Sequence, residues 1–160
     1  MRLSPKVVPS ISREAIQLLM QDWDIEVEPV RATDAEMDLS AIMREYLTNE
    51  ERVNQATREA LERRGQDDSK FEQTKREIAD LRGFKLGDEG IEYVIGQMIE
   101  FLLVSRNVEE VFAGDEVLRG KLRAVMSRLL RPEPAPAGSD PGALPPVGST
   151  GGAGPTGAPA

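Results

Sequence analysis

The chain has 160 residues, a net charge of −8, and neither cysteine nor histidine. Disulfides, thiolate metal sites and cysteine nucleophiles are therefore excluded, as are histidine bases and histidine metal ligands. The net acidity disfavours non-specific binding to nucleic acid or anionic lipid and leaves only a local basic face for such partners.

In chain order, Ile16 to Met20 is a short apolar stretch, but Arg13 and Glu14 precede it and Asp22 and Asp24 follow it. That is not a secretory signal. The longest apolar run, residues 101–104, is far too short to cross a bilayer. The expectation is a soluble, cytoplasmic protein without membrane insertion. Ser4-Pro5 offers one helix start and Ser10 a second, because Pro is tolerated at the first helical position while Pro9 interrupts. The first helix then runs to about Asp22. Residues 23–29 alternate apolar and acidic side chains, which predicts a short strand or an extended connector ending at Pro29.

Three capping boxes follow: Thr33-x-x-Glu36, Thr48-x-x-Glu51 and Ser69-x-x-Glu72. In each, side-chain oxygens would satisfy amides that the first turn leaves free. They predict helices from about 33 to 47, from 48 to 64 before Gly65, and from 69 to Gly83. The second and third have thin apolar stripes, Val53, Ala56, Ala60 and Leu61 against Phe71, Ile78 and Leu81. A partly exposed antiparallel hairpin over 50–82 is expected. A glycine-rich turn over 83–90 leads to a helix from about Asp88 to Arg106. Asn107-x-x-Glu110 predicts one short helical turn ending at Gly114. Asp115 caps a last helix to Arg131, which Pro132 ends.

Residues 132–160 hold eight of the eleven prolines and half of the fourteen glycines, with no Lys, Arg or aromatic residue. Such a segment buries too little apolar surface to offset its ordering entropy, so it is read as a disordered tail. The body is residues 1–131, with twenty basic against twenty-six acidic side chains. Its fold class is all-α. Within it, Leu39-x-x-Ile42-Met43-x-x-Tyr46-Leu47 recurs as Leu122-x-x-Val125-Met126-x-x-Leu129-Leu130. Ile11, Ala15, Leu18, Leu19 and Trp23 likewise align with Ile91, Ile95, Met98, Ile99 and Leu103. Two similar helix–connector–helix units, 10–47 and 90–130, would flank the polar hairpin. Duplication and the common demands of burial both produce such a match.

The opening Met-Arg-Leu-Ser4, the run Ile42-Met-Arg-Glu-Tyr-Leu47 and the stretch Asn107-Val-Glu-Glu-Val-Phe-Ala-Gly-Asp-Glu-Val-Leu118 resemble a bacterial family. It is the one catalogued as domain of unknown function number 507. The resemblance covers most of residues 1–131 and implies a small, soluble, helix-rich protein. It carries over no functional residues.

No residue pattern here assigns catalysis or a cofactor. The acidic stretch Asp22, Asp24, Glu26, Glu28, Asp34, Glu36 and Asp38 could ligate a hard cation, but it lacks the glycine of a calcium loop. Acids that protect an extended edge and complement a helix N-terminus explain it more simply. Glycines 83, 87 and 90 form turns rather than a phosphate loop, since no Gly-Lys-Ser/Thr follows. Gly96 and Gly120 inside helices suggest close helix packing. Trp23, Tyr46 and Tyr93 read as core side chains.

The leading expectation is a non-enzymatic interaction protein that binds another protein or itself. Its candidate surface is Val53, Leu61, Phe71 and Ile78, hairpin positions that a small core leaves uncovered. The alternative is a nucleic-acid- or ribosome-associated factor with Arg119, Arg123, Arg128 and Arg131 on phosphates. The third reading is a carboxylate- and magnesium-dependent enzyme built on Asp34 or Asp38.

Overall fold

The computed structural model describes residues 1–130. Arg131 and the tail assigned to 132–160 lie outside the described residues. The elements are α1 (Val8–Gln21), β1 (Ile25–Glu26), α2 (Ala32–Arg64), α3 (Phe71–Arg82), α4 (Gly87–Val104), β2 (Glu110–Val111) and α5 (Asp115–Leu129). The all-α class holds, with a minimal two-stranded sheet added to it.

Helices α1, α2, α4 and α5 close a ring: α1 packs on α2 and α5, and α4 packs on α2 and α5. Each contributes the stripe its sequence period requires. Ile11, Ala15, Ile16 and Leu19 come from α1, and Leu39, Met43 and Tyr46 from α2. Ile91, Ile95, Met98 and Leu102 come from α4, and Leu118, Leu122, Val125 and Met126 from α5. The repeated positions 39, 43, 122 and 126 therefore all face one core. A buried hydrogen bond between the hydroxyls of Ser12 and Ser40, 2.7 Å, joins α1 to α2 inside it. Burying both hydroxyls is tolerable only because each satisfies the other.

Several element boundaries differ from the expectation. A 3-10 turn at Pro5–Val7 runs directly into α1, and the Ser4 hydroxyl accepts from the Lys6 amide. The earlier of the two helix starts is thus the real one. The predicted helices 33–47 and 48–64 are one continuous helix of 33 residues, α2. The Thr48 box does not cap, because its Glu51 pairs with Arg58 at 2.8 Å further along the same helix. At the two positions between Thr48 and Glu51, Asn49 accepts from Arg52 at 3.2 Å and Glu50 pairs with Lys75 of α3 at 3.3 Å. No Gly or Pro stands there to stop the chain. The Thr33 box is also unused, since α2 starts at Ala32 without a side-chain cap. Before α3 it is Asp67, not Ser69, that caps, taking both the amide and the hydroxyl of Ser69. Helix α5 starts after Gly114 without a side-chain cap, and Asp115 pairs with Arg119 instead.

Residues 107–114 do not form the predicted helical turn. Glu110 and Val111 make β2, which pairs antiparallel with β1 in the register Ile25↔Val111 and Glu26↔Glu110. The Asn107 side chain donates to Asp38 at 2.7 Å rather than capping.

The distal half of α2 leaves the four-helix ring and packs against α3, which closes the predicted hairpin. Gly65 and Gly83 terminate α2 and α3 in the left-handed conformation, with φ of 65° and 69°.

Candidate interaction surface and groove

Four helix ends meet at the sheet: the C-termini of α1 and α4 and the N-termini of α2 and α5. Backbone bonds tie them together. Phe112 and Ala113 amides donate to the Asp24 carbonyl at 2.8 and 3.1 Å, and the Glu109 amide donates to the Glu26 carbonyl at 2.8 Å. Arg31 donates to the Arg106 carbonyl at 2.6 Å. Among the described residues, seven of the nine large exposed hydrophobic side chains sit at this end: Trp23, Val30, Met37, Leu103, Val104, Phe112 and Val117. Trp23 is 74% and Phe112 57% exposed.

Trp23 was expected in the core, and the way α1 ends puts it outside. The Asp24 amide reaches back to the Leu19 carbonyl at 2.9 Å, and the Trp23 amide to the Met20 carbonyl at 3.2 Å. This is a Schellman motif, in which the residue after the cap must be left-handed and is usually glycine. Helices α2 and α3 end in the same pair of bonds, from Gln66 to Leu61 with Gly65 to Glu62, and from Phe84 to Ala79 with Gly83 to Asp80. There glycine supplies the left-handed residue. In α1 it is Trp23, at φ 59°, the single non-glycine residue with positive φ among those described. A left-handed L-residue costs about 1–2 kcal/mol, and the exposed indole recovers little of that by burial.

Around the aromatics lies a set of exposed glutamates. Glu26 and Glu110 stand directly opposite each other in the register, an arrangement that is destabilising for like charges. Glu28, by hydrogen bond and by charge, raises the Glu109 carboxyl above its ordinary value, and Arg31 offsets this only in part.

The basic face expected on α5 is largely committed to acids of the same fold. Arg123 holds Glu92 with two bonds of 2.7 and 2.8 Å. The pairing lowers the Glu92 carboxyl and raises the guanidinium. Arg119 lies near Glu92 and Asp115, and Arg128 binds Glu14 at 2.7 Å. Lys121 spans Asp24 at 2.5 Å and Asp22 at 2.9 Å, and both raise its ammonium. Part of the acidic stretch thus clasps α5 to the end of α1. Asp38 is engaged by Asn107. Among the described residues no three carboxylates converge as a cation site would need.

The four hairpin candidates are not a common exposed surface. Val53 and Leu61 are buried between α2 and α3, while Phe71 and Ile78 are half-buried. The hairpin's large exposed side chain is Leu81.

A groove of about 400 Å³ opens where the middle of α2 meets α4 and the α3–α4 turn. Its wall is a stack of Tyr46 on Phe84, with ring centroids 4.9 Å apart. The Tyr46 hydroxyl donates to the Lys85 carbonyl at 2.6 Å and fixes the turn. Only glycine fits at residue 90, because a Cβ there would collide with the Tyr46 hydroxyl and lie 2.7 Å from the Lys85 carbonyl. By contrast a Cβ at Gly96 meets only the tip of Arg119 at 3.9 Å, and one at Gly120 meets nothing. The close approach expected at Gly96 and Gly120 is at Gly90 instead. Tyr93, expected in the core, is half-exposed and lines the groove.

Sequence reasoning did not single out the exposure of Trp23, nor Phe112, nor the groove's rim. The available signal was local for Trp23, since Asp22 ends the stripe of α1. For the groove it was absent, because its residues come from three separate elements.

A four-helix ring with a helical hairpin and a two-strand clasp defines the class, a small helical protein. The chain belongs to the family described as Protein of unknown function (DUF507), whose model matches residues 1–134. No curated protein matches the chain. Among the described residues no helix is long and apolar enough to cross a membrane.

Proposed function

We propose that the chain is a non-enzymatic, cytoplasmic interaction protein whose sheet end docks a cationic, apolar-faced segment of another protein. The observation that carries this reading is Trp23. Helices α2 and α3 end in the same motif with glycine, whereas α1 places a tryptophan there and exposes it. Strain without local recompense suggests a role outside folding. Phe112, Val30 and Val104 are exposed at the same end of the fold, and exposed apolar side chains around a tryptophan are where interface energy concentrates. The glutamates around it give the partner its sign. Like charges already oppose each other across the sheet, so a cation set among them gains attraction and relieves repulsion. A second copy using the same face would bring glutamate to glutamate, which favours a different partner over self-association. The ion pairs of α5 leave less of its charge for phosphates, which weighs against the nucleic-acid reading.

The test is capture from nuclease-treated native extract by the full chain and by a Trp23→Gly, Phe112→Ser variant. The reading expects one stoichiometric protein, eluted by salt, that is lost in the variant while the melting temperature does not fall. A partner retained by the variant, or one carried only through nucleic acid, would overturn it.

A further inference from the structure

We propose that the groove between α2, α4 and the α3–α4 turn is a binding site for a phosphate-bearing planar molecule of the nucleotide class. Three cations line it, Arg52, Arg82 and Lys85, against one carboxylate, Glu45. That excess of positive charge is set in a chain of net charge −8. The cations of α5 are ion-paired, but these three form no ion pair with any described residue. Arg52 makes only a 3.2 Å hydrogen bond to Asn49. Unpaired guanidinium groups around a concavity match phosphate oxygens, which they hold by short charge-assisted bonds. The rest of the lining suits a ring. Tyr93 is half-exposed at the rim, the Tyr46–Phe84 stack forms a flat wall, and Asn49 and Gln97 offer polar edges. A volume of about 400 Å³ lies within the range of small-molecule sites.

The groove is also held in shape before any ligand arrives. Tyr46 pins the turn through the Lys85 carbonyl, Gly90 makes room for Tyr46, and Gly83 reverses the chain at the end of α3. A preformed site avoids the entropy of ordering a loop on binding. The site is remote from the sheet end, so the proposal stands independently of the docking reading above.

The experiment is a titration of the full chain with ATP, pyrophosphate and adenosine, followed by backbone amide shifts and by calorimetry. The expected result is ATP shifts confined to residues 42–53 and 82–97, with adenosine binding at least about tenfold more weakly than ATP. Arg52→Glu and Arg82→Glu should each weaken ATP by about tenfold or more. Tyr93→Ala should weaken ATP and leave pyrophosphate unchanged, which separates ring from phosphate. Circular dichroism checks that each variant folds, and the shift map of the unaltered chain decides the matter if one does not. No shift at millimolar ATP, equal binding of adenosine and ATP, or shifts spread to residues around Arg13 and Arg63 would overturn the proposal.

Discussion

Two residues show how backbone geometry and chemistry diverge in this fold. Trp23 occupies a position that two sister helices give to glycine. Trp23→Gly should remove a left-handed penalty of about 1–2 kcal/mol and add the unfolded-state freedom of glycine, about 0.5–1 kcal/mol. The net expectation is a gain of about 0.5–1 kcal/mol, seen as a melting temperature roughly 2–3 °C higher. A lower melting temperature would show that the indole holds the fold and would remove the argument for docking. Gly90 presents the opposite case. Gly90→Ala drives a methyl into the Tyr46 hydroxyl and the Lys85 carbonyl, so a loss of about 1–3 kcal/mol is expected. Gly96→Ala meets only the flexible end of Arg119 and should gain about 0.5–1 kcal/mol from helix propensity. Thermal melts of the two variants should therefore move in opposite directions. The sequence shows that a helical glycine is costly. It does not show whether a neighbour needs the space, because that depends on a tyrosine in another helix.

At the scale of elements, what could be read was what has a local cause. The stripes of α1, α4 and α5, the glycine stops at Gly65 and Gly83 and the hairpin all follow from spacing and termination within a few residues. The misreadings came from polar side chains that satisfied a local capping motif on paper and another partner in the fold. Glu51 pairs with Arg58 and Asn107 donates to Asp38, so neither box caps a helix. Strand β2 was hidden for the same reason, since its partner β1 lies at the other end of the sequence. The hairpin carries a further consequence. Val53, Ala60, Leu61 and Ala79 are buried, yet they stand apart from the cluster that joins the four ring helices. Sub-regions with their own small core open before the rest. Native-state hydrogen exchange should therefore find amides of residues 53–79 opening at lower free energy than those of 91–102. Equal protection across both would mean that α2 transmits the stability of the ring along its full length.

Over the whole molecule, the overall charge was legible but its arrangement was not. The acidic excess is distributed unevenly. Asp22 and Asp24 are matched by Lys121, and Glu92 by Arg123, while Glu26, Glu28, Glu109 and Glu110 crowd one end. The crowding has a signature in pH. Glu28 raises the Glu109 carboxyl above the ordinary value of 4.5. Between 4.5 and the raised value the folded state holds more protons than the unfolded one, so stability falls as pH rises through that window. Above it the repulsion is felt in full, and below 4.5 it is gone. Glu109→Gln should therefore melt higher than the unaltered chain at neutral pH, and the gap should close on acidification. Adding Glu28→Gln should bring less than its separate effect, because the two substitutions remove one shared repulsion. A gap that stays constant with pH would place its origin outside this pair. The same Glu109→Gln substitution should weaken capture of a cationic partner even as it stabilises the fold. That opposition between stability and binding is what distinguishes a docking surface from a surface whose charges only keep the protein in solution.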